Sequence, residues 1–230
     1  MDRDYVVKIS IPEFYALPFW DGLLAFKGNF AHGWLGSPRV HYRNDGPITT
    51  YFHQKSLYGR LGKADWRVHF YGGFNHNAFW GNTKDYIPSF KLSDWQEYWY
   101  TVTGKVNNFS KTGNHLGSID LGLQYDFDKV SVFGYRQQFY DIGGLYHLSN
   151  IADGLNGLSI RNNSKSRGSF KWDKFLFEFL YTKSQGGELK AKITPSGDEN
   201  YYNSYIYAEG WSYNHVALGT PLITTTPAAR

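Results

Sequence analysis

The sequence predicts an all-β protein, built as an antiparallel transmembrane β-barrel of the outer-membrane type. Three observations lead to this prediction. Apolar and polar residues alternate in several segments, aromatic residues make up 19% of the chain, and 25 glycines interrupt it. Alternation with a period of two is the pattern of a strand with one apolar and one polar face. Abundant aromatic residues and glycine favour strands joined by turns over helices.

The clearest strand is the segment GSIDLGLQYDFDKVSVF. Its apolar parity carries Ile119, Leu121, Leu123, Tyr125 and Phe127. In a soluble sandwich that side would meet a second sheet, whereas in an outer-membrane barrel it meets lipid and the polar side lines the lumen. We expect the second arrangement, in which these five residues face lipid and the polar parity, with Asp120 and Gln124, faces the lumen.

Further strands are predicted along the chain in LLAFKGNFAHGW, TYFHQKSLYGRLG, WRVHFYGGFNH, VSVFGYRQQFYD and KWDKFLFEFLYTKSQ. The alternation is weaker in the second of these, because Lys55 and Leu57 share a parity, and it is irregular near Gly134. WQEYWYTVTG fits either a strand or a short helix, and SYIYAEGWSY fits a short strand.

The connections between these strands alternate between tight and long. Tight turns are predicted near residues 62–65 and 127–129, and long loops near 77–92, 142–156 and 186–203. Outer-membrane barrels alternate periplasmic turns and extracellular loops in this way. Tyr125 and Phe127 lie at the tight-turn end of their strand, where an interfacial aromatic girdle is expected.

Composition excludes several classes of function. The chain has no cysteine, so it has neither disulfides nor a cysteine-based zinc site. The eight histidines are dispersed without an HExxH pattern, and we predict no metal and no cofactor. The net charge of +4 comes without a Lys/Arg block, which argues against nucleic-acid binding. Neither a nucleophile elbow nor a P-loop is present, and we predict that the protein is not an enzyme.

Seven ordered segments carry a resemblance to a known family: QKSLYGRLG, YGGFNHNAFWG, GNHLGSIDLGL, YRQQFYD, DGLNGLS, FEFLYTKSQ and SGDENYYNSYIYAEGWSY. Together they resemble the Wzi-type capsule assembly proteins, particularly those of Bacteroidetes. The resemblance extends from about Phe52 to Tyr213. It implies a barrel in the outer membrane that acts as a lectin and helps to assemble or retain capsular polysaccharide or exopolysaccharide at the cell surface. The implied partners are that polysaccharide and outer-membrane lipid.

The length of the chain supplies fewer strands than such a barrel needs. At roughly ten strand residues plus a connection each, residues 1–230 give about ten to twelve strands. The N-terminus does not read as an export signal. We therefore expect one domain that is a fragment of a larger barrel, cut at both ends and lacking the signal peptide. The sequence gives no oligomeric state.

Carbohydrate contact needs aromatic faces for stacking and planar polar groups for ring hydroxyls. The long connections supply both, and the candidate carbohydrate-binding residues are Trp80, Tyr86, His147, Asn150, Asp153, Asn156, Glu199, Tyr201, Tyr202, Asn203 and Trp211. The alternative interpretation is that these side chains pack the loops or form the girdle.

Six polar residues are predicted in mid-strand positions that face the lumen: Arg60, Arg67, Asp120, Arg136, Gln138 and Glu178. They form either a hydrated ladder of ion pairs or a polar track for an acidic polysaccharide. Two other functions stay open. One is a transport pore, and the other is a glycan hydrolase, for which no pair of carboxylates is singled out by the sequence.

Overall fold

The structure is a computed structural model that describes residues 6–43, 46–107, 110–141, 143–164, 172–186, 199–213 and 216–217. Eight long strands lie in these ranges: β1 (Val6–Ala16), β2 (Leu24–Gly36), β5 (Thr50–Leu61), β6 (Val68–Trp80), β9 (Asn114–Asp126), β10 (Val130–Tyr140), β11 (Gly154–Asn162) and β12 (Lys174–Tyr181). Six two-residue strands pair as β3 (Arg39–Val40) with β4 (Gly46–Pro47), β7 (Val106–Asn107) with β8 (Ser110–Lys111), and β13 (Ser212–Tyr213) with β14 (Val216–Ala217). One α-helix, α1, spans Asp94–Thr103, and 3₁₀ turns span Phe19–Gly22, His41–Arg43 and Thr83–Asp85.

The eight long strands form one antiparallel sheet in the order β1-β2-β5-β6-β9-β10-β11-β12. Each long strand therefore pairs with its neighbours along the chain, as in a meander. Within the described ranges no pairing joins β1 to β12, so the sheet is open and has two edges. The prediction of an antiparallel all-β fold is confirmed. In the described ranges the sheet holds eight long strands, whereas about ten to twelve were predicted for residues 1–230.

The apolar face of the sheet is the exposed one. On β9, Leu121 is 62% exposed, whereas the adjacent Asp120 on the other face is 9% exposed. On β12, Phe175, Phe177 and Phe179 are likewise exposed on the same side as Leu121. This is the reverse of a soluble sheet, in which the apolar parity is buried.

The polar face is concave. The rings of Phe14 on β1 and Tyr71 on β6 meet on this side with centroids 5.6 Å apart. Their strands are three positions apart in the sheet, which is about 14 Å in a flat arrangement. The contact crosses β2 and β5, and Lys27 and Arg60 of those strands lie against the Phe14 ring. The sheet therefore curls toward its polar side, and we refer below to the concave face and the outward face.

A small apolar core closes the concave face at the end of the long connections. Phe79 of β6 is fully buried there, with its ring 4.3 Å from that of Trp211 and 5.5 Å from that of Tyr207. Val40, Ile48 and Tyr86 complete this core. The long connections thus fold back over the concave face at this end.

The segment WQEYWYTVTG is a helix because its ends carry helix signals. Ser93 precedes α1 as the N-cap and forms a reciprocal capping box with Gln96. Gly104 ends the helix with a φ of 69°, a left-handed conformation that glycine adopts without strain. None of the helices in the described ranges is long and apolar enough to cross a membrane.

The remaining differences concern strand boundaries. The sequence analysis predicted no strand in the first twenty residues, where β1 lies. The loops predicted at 77–92 and 142–156 are shorter, because β6 continues to Trp80 and β11 begins at Gly154. Of the loop predicted at 186–203, positions 187–198 lie outside the described residues. In SYIYAEGWSY only Ser212–Tyr213 is a strand, and Tyr207 adds a single bridge to Val40.

Candidate functional site

The concave face carries a repeated arrangement of tyrosine, glycine and carboxylate. Tyr58, Gly73 and Asp120 are register partners on the adjacent strands β5, β6 and β9. A Cβ atom at Gly73 would lie 2.3 Å from Cδ1 of Tyr58, so the tyrosine ring occupies the space that a side chain would take. The ring lies across β6, and its hydroxyl donates a hydrogen bond of 2.6 Å to Oδ2 of Asp120.

The same arrangement recurs on the next three strands. Tyr135, Gly157 and Glu178 are register partners on β10, β11 and β12. A Cβ atom at Gly157 would lie 2.1 Å from Cζ of Tyr135, and the tyrosine hydroxyl donates to Oε1 of Glu178. Each tyrosine therefore links its own strand by a hydrogen bond to the strand two positions away in the sheet.

A cavity of about 390 Å³ opens between these two arrangements. Its lining includes Phe14, Lys27, Tyr58, Tyr71, Asp120, Gln124, Phe133, Tyr135 and Gln137. The volume is within the range of small-molecule sites, about 300 to 1,000 Å³. Aromatic rings form much of the wall, and a carboxylate, two carboxamides and one ammonium group supply polar contacts.

Asp120 is the polar residue with unused capacity in this cavity. Its Oδ2 accepts hydrogen bonds from the Tyr58 hydroxyl and, at 3.1 Å, from Nε2 of Gln137. Its Oδ1 is buried and has no hydrogen-bond partner among the described residues. Leaving a buried carboxylate oxygen unsatisfied is costly, and a ligand hydroxyl can relieve that cost only where the side chains around Oδ1 move apart.

Three of the six residues predicted to face the lumen lie on the concave face. They are Arg60, Asp120 and Glu178. Arg60 is half-buried, and Glu178 is exposed. Arg67 does not lie in mid-strand as predicted. It precedes β6 in the tight turn, where its exposed guanidinium is 2.7 Å from the Asp128 carboxylate.

Arg136 and Gln138 lie on the outward face, contrary to the prediction. The register of β10 sets them opposite Leu121 and Ile119 of β9. Their polar groups are satisfied by the connection that follows β10. Arg136 donates to the Asp153 carbonyl at 3.0 Å, and Gln138 donates to the Asn150 carbonyl at 2.8 Å.

Most of the predicted carbohydrate-binding residues are buried in the long connections: Tyr86, Asn150, Asp153, Glu199, Tyr201 and Trp211. Asp153 accepts hydrogen bonds from the backbone of Ser184 and Gln185 and, at 2.7 Å, from the Tyr201 hydroxyl. Nδ2 of Asn150 donates to the same hydroxyl at 2.9 Å. These polar groups therefore hold the connections together.

Glu199 has a similar structural role. Its carboxylate accepts hydrogen bonds from the backbone N–H groups of Asp141 at 2.6 Å and Gly143 at 2.7 Å. Burial raises the pKa of the neighbouring Asp141 carboxyl to about 7; the Glu199 charge acts in the same direction, while the Asn200 N–H and Lys111 oppose it.

The other predicted carbohydrate-binding residues remain accessible. His147 is exposed, and Trp80, Asn156, Tyr202 and Asn203 are half-buried. The structure does not bring them into the concave cavity, whose lining residues were mostly absent from the sequence-based set. No group of three or more His, Asp or Glu side chains in the described ranges is arranged to hold a metal ion.

Comparisons with protein-family models, with curated proteins and with solved structures gave no match.

Proposed function

We propose that this chain belongs to an outer-membrane β-barrel that binds capsular polysaccharide or exopolysaccharide and helps to assemble or retain it at the cell surface, without catalysing a reaction. The observation that carries the proposal is the orientation of the sheet. Its apolar parity is exposed, while its polar parity forms a concave, aromatic-walled face. This is the arrangement of a barrel strand between lipid and lumen.

The outward face has the chemistry expected of a surface against lipid. The outward face includes Leu57, Phe70, Leu121 and Leu158, which lie on β5, β6, β9 and β11 and are between 39% and 62% exposed. Continuous exposed apolar surfaces of this kind mark contact with a membrane or a partner. The proposal requires strand partners for both β1 and β12, because unpaired backbone groups are not tolerated in the hydrocarbon layer.

The concave cavity has the chemistry of a sugar-binding subsite. Tyr58, Tyr71 and Phe133 present aromatic surface, on which the apolar face of a pyranose ring can stack. The Asp120 carboxylate, whose Oδ1 has no partner among the described residues, supplies the polar contact for hydroxyl groups. A polysaccharide presents such rings in series, so a subsite of one or two rings contributes to retention of a longer chain.

Isothermal titration of the purified protein with capsular polysaccharide and with its oligosaccharide fragments tests this subsite. We expect Asp120→Asn, which keeps the shape of the side chain, to weaken binding about tenfold or more, since hydrogen bonds to a charged group contribute about 1.5 to 3 kcal/mol. The matched control is Asp128→Asn in the exposed tight turn, which removes one negative charge outside the cavity. Equal affinities of the two variants would contradict the assignment of the subsite.

A further inference from the structure

A set of histidines lies on the outward face, on the same parity as the apolar residues. His32, His53 and His115 belong to one row across β2, β5 and β9, and His76 of β6 lies in the next row beside Lys55. Nδ1 of His53 is 3.1 Å from Nε2 of His32, and Nε2 of His76 is 2.8 Å from Nδ1 of His115. Polar side chains at these positions would face lipid if nothing covered them.

Helix α1 covers these four histidines and Lys55, which we refer to below as the histidine row. The ring of Tyr98 packs on that of His32 with centroids 5.1 Å apart, and the Thr101 hydroxyl donates to the Thr112 carbonyl at 3.3 Å. The ammonium group of Lys55 donates to the Val102 carbonyl at the end of the helix. As a result His53 is fully buried although it points outward.

The buried side of the helix is fixed to the connection that follows β6. Glu97 is 2% exposed, and its Oε1 accepts hydrogen bonds from the Thr83 hydroxyl at 2.6 Å and from the Gly81 N–H at 3.1 Å. Burial raises the pKa of this carboxyl, and the hydrogen bonds from Thr83 and Gly81 oppose that shift. The contact sets the rotation of α1 and therefore which residues it exposes.

The exposed side of α1 carries two tryptophans. Trp95 is 69% exposed and Trp99 is 52% exposed. Residues four apart lie on the same flank of a helix, so the two indole groups form one patch. Tryptophan at such a position is typical of the boundary between lipid headgroups and acyl chains, where its ring is buried and its N–H reaches a polar partner.

The position of α1 along the strands fits the same boundary. On β9, ten residues separate His115, at the level of α1, from Tyr125, at the tight-turn end. Ten strand residues of an antiparallel sheet span about 34 Å, or about 24 Å along the membrane normal for a strand tilted by 45°. The apolar band of an outer-membrane barrel is about 25 Å tall, with an aromatic girdle at each edge.

We infer that α1 is an interfacial anchor, which covers the histidine row and inserts Trp95 and Trp99 into the headgroup–acyl boundary of the membrane on the side of the long connections. Tyr125 and Phe127 form the opposite edge of the band. The inference rests on the proposed membrane location, but it concerns a different surface from the carbohydrate subsite.

Spin labelling tests this placement directly, because the chain has no cysteine and single-cysteine variants need no background substitutions. Trp95→Cys and Trp99→Cys are labelled with a nitroxide in the protein reconstituted into phosphatidylcholine vesicles. Collision rates with oxygen, which partitions into lipid, and with a water-soluble nickel chelate give the depth of each label. Leu121→Cys on the outward face is the control for deep lipid, and Tyr146→Cys, at a loop position 88% exposed, is the control for water.

We expect the labels at 95 and 99 to report depths between those of the two controls, near the acyl carbonyl groups. Labels at 95 and 99 that are as water-accessible as the label at 146, with position 121 in lipid, would refute the anchor while leaving the barrel intact. Labels as deep as that at 121 would also refute an interfacial position. A water-accessible label at 121 would refute the membrane location itself and the anchor with it.

Discussion

Adding a single methyl group at Gly73 should break the contact between Tyr58 and Asp120. A Cβ atom there would lie 2.3 Å from Cδ1 and 2.7 Å from Cγ of Tyr58, so the ring must leave its place across β6. Overpacking of this kind costs about 1 to 3 kcal/mol. The hydrogen bond from the Tyr58 hydroxyl to the carboxylate is lost as well, whereas replacing glycine by alanine returns about 0.4 to 1 kcal/mol through the unfolded chain. We expect Gly73→Ala to lower the free energy of unfolding by about 2 kcal/mol.

The assay is denaturant unfolding of the protein in detergent, followed by circular dichroism of the strands. Gly134→Ala is the matched control, because this glycine lies in a central strand and a Cβ atom there would meet nothing within 4 Å. The control should raise the free energy of unfolding by about 0.4 to 1 kcal/mol, because only the contribution of the unfolded chain applies where the alanine makes no close contact. In the double variant Tyr58→Leu with Gly73→Ala, most of the cost of the alanine should disappear. Equal stabilities of the Gly73→Ala and Gly134→Ala variants would refute the role assigned to the tyrosine–glycine contact.

Two further predictions concern the long connections. Trp211→Ala should destabilise the protein by about 3 to 5 kcal/mol in the same assay, because Trp211 is 4% exposed and packs against Phe79. Trp95→Ala, at an exposed position, should cost less than about 1 kcal/mol. Similar costs for the two variants would contradict the burial of Trp211 in the apolar core. The raised pKa of Asp141, about 7, means that its protonated form favours the folded state below pH 4 and that this contribution is lost as the pH rises through 7. The thermal midpoint of the protein should therefore fall more steeply between pH 5 and pH 8 than that of Asp141→Asn, and parallel profiles would contradict a buried Asp141.

The fold of the central strands could be predicted because one face of each strand is uniform in polarity. The segment at Leu121 alternates without a break, and its tight turns are short and rich in turn-forming residues. The positions at which the alternation of apolar and polar residues breaks down also carry information, but the structure is needed to interpret them. Lys55 and Arg136 break the alternation because α1 and the connection after β10 cover them on the outward face. The sequence does not tell which segments fold back over a strand.

The candidate site was less predictable for a related reason. Aromatic and amide side chains in loops suggested carbohydrate contact, but hydrogen bonds such as that between Tyr201 and Asp153 form only when distant segments meet. The signal for the concave cavity was present in the strands themselves. Tyr58 lies on the polar parity, and a glycine follows on the next strand at the same register. A tyrosine on a polar face opposite a glycine indicates a ring that lies across the sheet, and this pairing becomes visible once the register is known.

The most direct test of the central claim is the location of the gene product in cells. Cells that express it are fractionated, and the outer-membrane fraction is run on a gel with and without boiling. We predict that the protein is found in this fraction and that the unboiled sample migrates differently from the boiled one, because a barrel closed by strand partners for β1 and β12, as the proposed function requires, resists unfolding by detergent. A soluble protein with the same mobility in both samples would contradict the account, since the exposed leucines and phenylalanines of the outward face would then have to pack against protein.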